Sequence, residues 1–261
     1  MKLTQAQLSQ FHSDGFIVLR NFLDEKRCDA ILEVAKVHLK DKIEPIETEV
    51  GYGNSSKEHR TSVSDYVSHE KEKSVVRRLR QVYERDPLFK AWMEEKKIRP
   101  ILQQVLNDKV VLTTAHHNSI MTKMPYESTE TQWHQDRRYW HFSDNNLVSV
   151  WLALDNENSQ NGALEFIPKS HTMHFRDEQF DEKEYFSQEH IANQAMIATK
   201  VSTILSKGDV VIFHSLLLHR ANKNRTNKAK ISFVYTVKGA QTKTIEGTRS
   251  AKFPDIALKE E

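Results

Sequence analysis

Apolar residues recur at helical spacing through the first part of the chain and in short β-rich runs through the second. In residues 4–15, Leu8 and Phe11 share a face, Thr4 can accept first-turn amide hydrogens, Gln7 completes a capping box and Gly15 stops the helix. Phe16-Ile17-Val18-Leu19 reads as a short apolar strand. Asp24 then caps a second helix, in which Cys28, Ile31, Leu32, Ala35 and Leu39 make one stripe suited to covering a sheet. Residues 44–69 contain Pro45, Gly51, Gly53 and many serines and charges, and read as a long loop overhanging a site. Over 70–107 helical spacing returns through Val75, Leu79, Val82, Leu88, Trp92, Ile98 and Leu102.

From Val110 onward the apolar runs are short and separated by turn residues: 110–112, 147–154, 163–167, 210–213 and 231–237. Such runs, without alternating helices, favour an antiparallel barrel or double-sheet jelly roll over a parallel α/β sheet. No repeat, low-complexity tract or linker interrupts the 261 residues. The pattern therefore predicts one mainly-β domain over 1–261, with mostly helical support over 1–109, a catalytic β core over 110–238 and a polar tail over 239–261 lying extended on the surface.

Composition narrows the function classes. The chain is 38% hydrophobic and 28% charged, with 38 basic against 36 acidic residues and a formal net charge of +2. That is an ordinary globular balance with no field of one sign, so neither nucleic acid nor a membrane surface is the expected partner; a small molecule is. No stretch has the length of a spanning helix and the first residues lack an apolar leader, so a cytoplasmic protein is expected. Cys28 is the only cysteine, which excludes an internal disulfide and any multi-cysteine metal site; beside Ile31 and Leu32 it reads as a buried thiol without a chemical role. Composition does not set an oligomeric state.

The segment Gln132-Trp133-His134-Gln135-Asp136-Arg137-Arg138-Tyr139-Trp140 carries the candidate chemistry. In an extended chain, residues two apart point to one face, so His134 and Asp136 can offer an imidazole and a carboxylate to the same ion. A third ligand should come from a neighbouring strand, and the run Val210 to His219 ends with two candidates, His214 and His219. Two imidazoles and a carboxylate on one face of an octahedron leave the opposite face open, which suits Fe(II) with a chelating oxo-acid and O2.

Four blocks then occur in order: the stretch from Phe11 to Leu23; Trp133-His134-Gln135-Asp136; Val150 to Asp155 with Asn161-Gly162-Ala163-Leu164 and Ile167 to His171; and Lys207 to His214 with His219 and Asn224-Arg225-Thr226. Together they resemble the phytanoyl-CoA dioxygenase family across nearly the whole chain. The resemblance implies a double-stranded β-helix, a cupin-like jelly roll with N-terminal helices packed on the sheet and the metal at one mouth. It implies His134, Asp136 and His219 as iron ligands, with His214 outside the metal site, and 2-oxoglutarate and O2 as co-substrates. The implied activity is Fe(II)- and 2-oxoglutarate-dependent hydroxylation of a small molecule, with succinate and CO2 as co-products; Asp136 stands where halogenating relatives lack a carboxylate.

The same resemblance places Ser119 and Trp151 at the 2-oxoglutarate site. Where the family has an arginine for the far carboxylate, this chain has Lys230, which keeps the charge and loses the two-point fork. Lys228 and Arg225 are the alternatives. Arg137, Arg138, Tyr139, Trp140 and His141 could face substrate or pack beneath the helices, and His171 and His174 begin a loop. Two other readings use the same residues: a cupin-type metal-binding barrel without 2-oxoglutarate turnover, and a non-catalytic binding module of the same fold.

Overall fold

The computed structural model of the protein describes residues 1–54 and 75–258. Its helices are α1 (Gln5–Asp14), α2 (Glu25–Lys40), α3 (Glu49–Asn54), α4 (Pro87–Met93), α5 (Arg99–Leu106) and α6 (Ile191–Ile197). Its strands are β1 (Phe16–Leu19), β2 (Ile46–Thr48), β3 (Val76–Arg80), β4 (Val110–Thr113), β5 (Ser119–Lys123), β6 (Thr131–His134), β7 (Leu147–Ala153), β8 (Leu164–Phe166), β9 (Val201–Ser202), β10 (Val210–His214), β11 (His219–Ala221), β12 (Lys230–Gly239) and β13 (Asp255–Ala257).

The strands form two antiparallel sheets. The larger runs β1-β10-β7-β12-β5-β3-β2, with β4 and β13 continuing beside the far end of β12; the smaller runs β6-β11-β8-β9. This is the cupin-like jelly roll, and its side-chain alternation explains where the core and the site lie. Along β7, Val148, Val150 and Leu152 point outward into the helix-covered core, while Trp151 and Ala153 point between the sheets. β10 repeats the pattern with Val210 and Ile212 against Val211 and Phe213, and β12 does so with Phe233, Tyr235 and Val237 against Val234. A strand buried on both faces has to be nearly continuous in apolar residues, as these runs are. The inward face turns polar at Ser149, Ser232, Thr236 and Lys230, all buried.

Both N-terminal helices form as their caps dictate. Thr4 and Gln7 make the reciprocal capping box, and Gly15 closes α1 in the left-handed region at φ 84°. A Cβ on Gly15 would stand 2.5 Å from His171 Nδ1, so this glycine is needed both for its backbone angle and for the close approach. α2 starts at Asp24, which accepts from the Arg27 amide, and buries Cys28, Ile31, Leu32 and Ala35.

The first half departs from the expected pattern in two places. Within the expected loop 44–69, residues 46–48 are a strand and 49–54 a helix, and 55–69 lie outside the described residues. Within the expected helical stretch 70–107, of which 70–74 lie outside the described residues, 76–80 are a strand pairing with both β5 and β2. Val75, Leu79 and Val82 have helical spacing, but β5 offers an open edge whose backbone groups need partners, and β3 satisfies them. In that register Leu79 stands opposite Ile120 and enters the core, whereas Arg78 and Arg80 stand opposite Met121 and Ser119. The C-terminal segment is likewise more than a surface tail: β13 pairs with β4, and buried Ser250 hydrogen-bonds His116 Nε2 at 2.7 Å and accepts from the His141 amide at 2.8 Å.

Candidate active site

His134 ends β6 and His219 begins β11, and the pairing of these strands makes the two residues direct cross-strand partners. Asp136 follows at the start of a 3₁₀ turn, Asp136–Tyr139. One atom from each of the three lies within 4.8 Å of the others. Asp136 Oδ1 is 3.6 Å from His134 Nε2 and 3.8 Å from His219 Nε2.

Each ring is fixed from behind. His134 Nδ1 donates to the Gln132 carbonyl at 2.8 Å and His219 Nδ1 to the Leu217 carbonyl at 2.9 Å. With the proton on Nδ1, both Nε2 lone pairs face Asp136, the arrangement in which imidazole binds a metal. Burial, reinforced by the charge of His134, pushes His219 down to about 3, so its lone pair is available at neutral pH. Burial drives the Asp136 carboxyl upward, but His117, His219 and His134 together more than offset this and hold it well below the ordinary carboxylate range. A preoriented pair of imidazoles and an ionised carboxylate fit Fe(II).

The sequence reading missed His117. Its Nε2 is 3.4 Å from Asp136 Oδ1, and its Nδ1 is 3.0 Å from Ser149 Oγ, which in turn reaches Asp136 Oδ2 at 3.4 Å. His117 and Ser149 therefore brace the carboxylate at its two oxygens. His117 has φ 33°, in a turn just before β5, and nothing in its local sequence marks the role. His214 faces His171, with ring centres 5.3 Å apart, and takes no part in the cluster.

Two cavities meet at these residues. The larger, about 150 Å³, has His134 and Asp136 in its wall together with Arg78, Arg80, Trp140 and Arg249. Ser119 and Tyr139 also line it. The narrower, about 60 Å³, lies on the His219 side and is lined by Trp151, Lys230 and Lys123. Lys230 is buried and Trp151 lies beneath its ammonium at 4.8 Å. Lys228 and Arg225 are exposed, and Lys228 pairs with Asp155 instead. Of the cationic and aromatic residues after Asp136, Tyr139 and Trp140 reach the larger cavity. Arg137 instead donates to the carbonyls of Trp140, Phe142 and Asp144, and Arg138 pairs with Glu184 over the Phe180 ring. Arg78, Arg80 and Arg249 were missed because their segments read as a helix and a tail; once β3 is a strand, alternate positions carry Arg78 and Arg80 to one face.

A family model, phytanoyl-CoA dioxygenase (PhyH), matches residues 11–232. The chain belongs to the phytanoyl-CoA dioxygenase family. It is 23% identical over 266 residues to phytanoyl-CoA dioxygenase domain-containing protein 1 of Bos taurus, covering 89% of each. It is 23% identical over 235 residues to the peroxisomal phytanoyl-CoA dioxygenase of Bos taurus, matching 86% of this chain but 65% of that protein. Among solved structures, the epimerase SnoN in complex with Fe3+, alpha ketoglutarate and nogalamycin RO has the same fold, with a TM-score of 0.72 at 16% identity over 98% of this chain and 95% of that one. Its donor set of two histidines and an aspartate fits Fe(II). Among the described residues, no helix is long and apolar enough to cross a membrane.

Proposed function

We propose that the protein is a dioxygenase that hydroxylates a small molecule, with His134, Asp136 and His219 holding Fe(II) and 2-oxoglutarate consumed to succinate and CO2. The observation that carries this is the geometry at Asp136 Oδ1, with both Nε2 atoms turned toward it by backbone hydrogen bonds. When bound, the iron and the oxo-acid together supply the oxidising power, which no protein side chain possesses. The chain contributes position and exclusion. The Nδ1 hydrogen bonds stop the imidazoles rotating, Ser149 and His117 hold the carboxylate, and Tyr139 and Trp140 wall the larger cavity. In this reading the larger cavity takes the substrate and the narrower one the oxo-acid, with Lys230 and Trp151 at its inner end. A reducing cytoplasmic setting suits Fe(II) and a single buried thiol.

The test is anaerobic titration of the purified protein with Fe(II) and 2-oxoglutarate, followed by admission of oxygen. A visible metal-to-ligand charge-transfer band should form, and succinate should then accumulate slowly without added substrate. Asp136→Ala should show neither; equal succinate from that variant and the wild type would sink the reading. A second reading, a metal-binding barrel without oxo-acid turnover, has one observation in its favour: Lys230 is already engaged by buried Glu157 at 3.1 Å. Metal binding without the band would favour it.

A further inference from the structure

Among the described residues, the ion pairs around the narrower cavity leave one lysine without an acid. Arg77 is paired with Glu49 at 2.9 Å, Arg220 with Glu165 at 2.6 Å, and Lys230 with Glu157 at 3.1 Å. Glu157 is itself buried and accepts further hydrogen bonds from Trp151 Nε1 at 3.0 Å and Ser232 Oγ at 2.6 Å, so it belongs to the fold and stays with Lys230. The fourth cation is Lys123. It is 5% exposed and lines the same cavity, and its Cα stands directly opposite that of Lys230 across the β5–β12 pair. Its ammonium donates only to carbonyls, that of Thr129 at 2.5 Å and that of Ala221 at 3.4 Å, and among the described residues it has no carboxylate partner.

A buried ammonium facing dipoles alone is costly, and a carboxylate brought by a ligand relieves that cost. Burial, with Arg77 and Lys230 adding to it and Glu49 and Glu130 opposing, pushes Lys123 well below the ordinary lysine range. With carbonyls as its partners and no acid among the described residues, the group stands to gain from an anion in a way that Lys230, already paired with Glu157, does not. Resting on the proposed oxo-acid chemistry, we propose that Lys123 supplies the charge that receives the distal carboxylate of 2-oxoglutarate, with Lys230 held by Glu157 beside it. The chain thus meets the dicarboxylate with a cation from the strand neighbouring the one that carries Lys230, and selects it over oxo-acids that lack the second carboxylate.

The test is calorimetric titration of the anaerobic Fe(II)-loaded protein with 2-oxoglutarate and with 2-oxovalerate, which is close in size and lacks the distal carboxylate. Wild type should prefer 2-oxoglutarate. Lys123→Gln, which keeps donors for the Thr129 and Ala221 carbonyls, should bind 2-oxoglutarate roughly 10- to 100-fold more weakly, bind 2-oxovalerate unchanged, and retain Fe(II). Lys123→Met is the second uncharged variant and should lose the same preference. Lys123→Arg, which restores a charge, should recover part of it. If both uncharged variants keep the wild-type preference, the inference is overturned. It is also overturned if the preference is lost only in Lys230→Met. If wild type binds neither oxo-acid while holding Fe(II), the proposed function fails first, and that result is distinct from the other two.

Discussion

Lys230, which the family resemblance offers as the anchor for an anion, shows how the fold chooses a residue's partner. It lies inside the barrel, as an anchor for an anion would, but the anion it meets is Glu157, with Lys230 3% and Glu157 0% exposed. Removing one partner of a buried pair leaves the other charge unsatisfied, which typically costs about 3–5 kcal/mol. Lys230→Met should therefore lower the unfolding free energy by about that much in urea titrations, and adding Glu157→Gln should recover much of the loss. Lys228→Ala, at an exposed pair, should stay within about 0.5 kcal/mol of wild type. A smaller effect at Lys230 than at Lys228 would contradict this account of the pair.

At the scale of elements, β3 is the informative case. Its sequence, VRRLR, carries too few apolar residues to declare itself, and Leu79 satisfies a helical stripe and a strand face equally well. The strand forms because it closes the edge of β5 and because Arg77 and Arg78 find Glu49 and Glu47 on the segment that pairs with it. Leu79 is fully buried against the helical core, so Leu79→Ala should cost about 2–5 kcal/mol, read from chemical denaturation. A loss below about 1 kcal/mol would mean that β3 is not a core strand. The helices were easier to read: Thr4, Gly15 and Asp24 act within one turn of their own positions, where no distant partner can overrule them.

For the whole molecule, the proposed metal site exists only when β6 and β11 are paired, so metal binding there would be linked to folding. A ligand that binds only the native state at about 100 times its dissociation constant adds about 2.7 kcal/mol. For a chain of this size that corresponds to a rise of roughly 5–10 °C in the melting temperature. Mn(II), which resists oxidation during heating, should produce such a shift in the wild type, a chelator should reverse it, and Asp136→Ala should abolish it. An equal shift in Asp136→Ala would locate the metal elsewhere. The C-terminal segment belongs to this scale too, since Ser250 ties it to His116 and Arg249 reaches the larger cavity wall.

The sequence by itself determined the class of fold, the caps and faces of the first two helices, and the motif that carries His134 and Asp136. These rest on the two side-chain periodicities and on residues acting within a few positions of themselves. It also offered His214 and His219 as equals in the residue pattern alone, separated only by family resemblance. Tertiary structure brought His219 opposite His134, turned His214 toward His171, placed His117 and Ser149 against Asp136, and gave Lys230 to Glu157 while leaving Lys123 without an acid among the described residues. Each of these depends on how the strands and the loops between them come together. Strand register decides which residues face one another and therefore which charges are already satisfied before a ligand arrives.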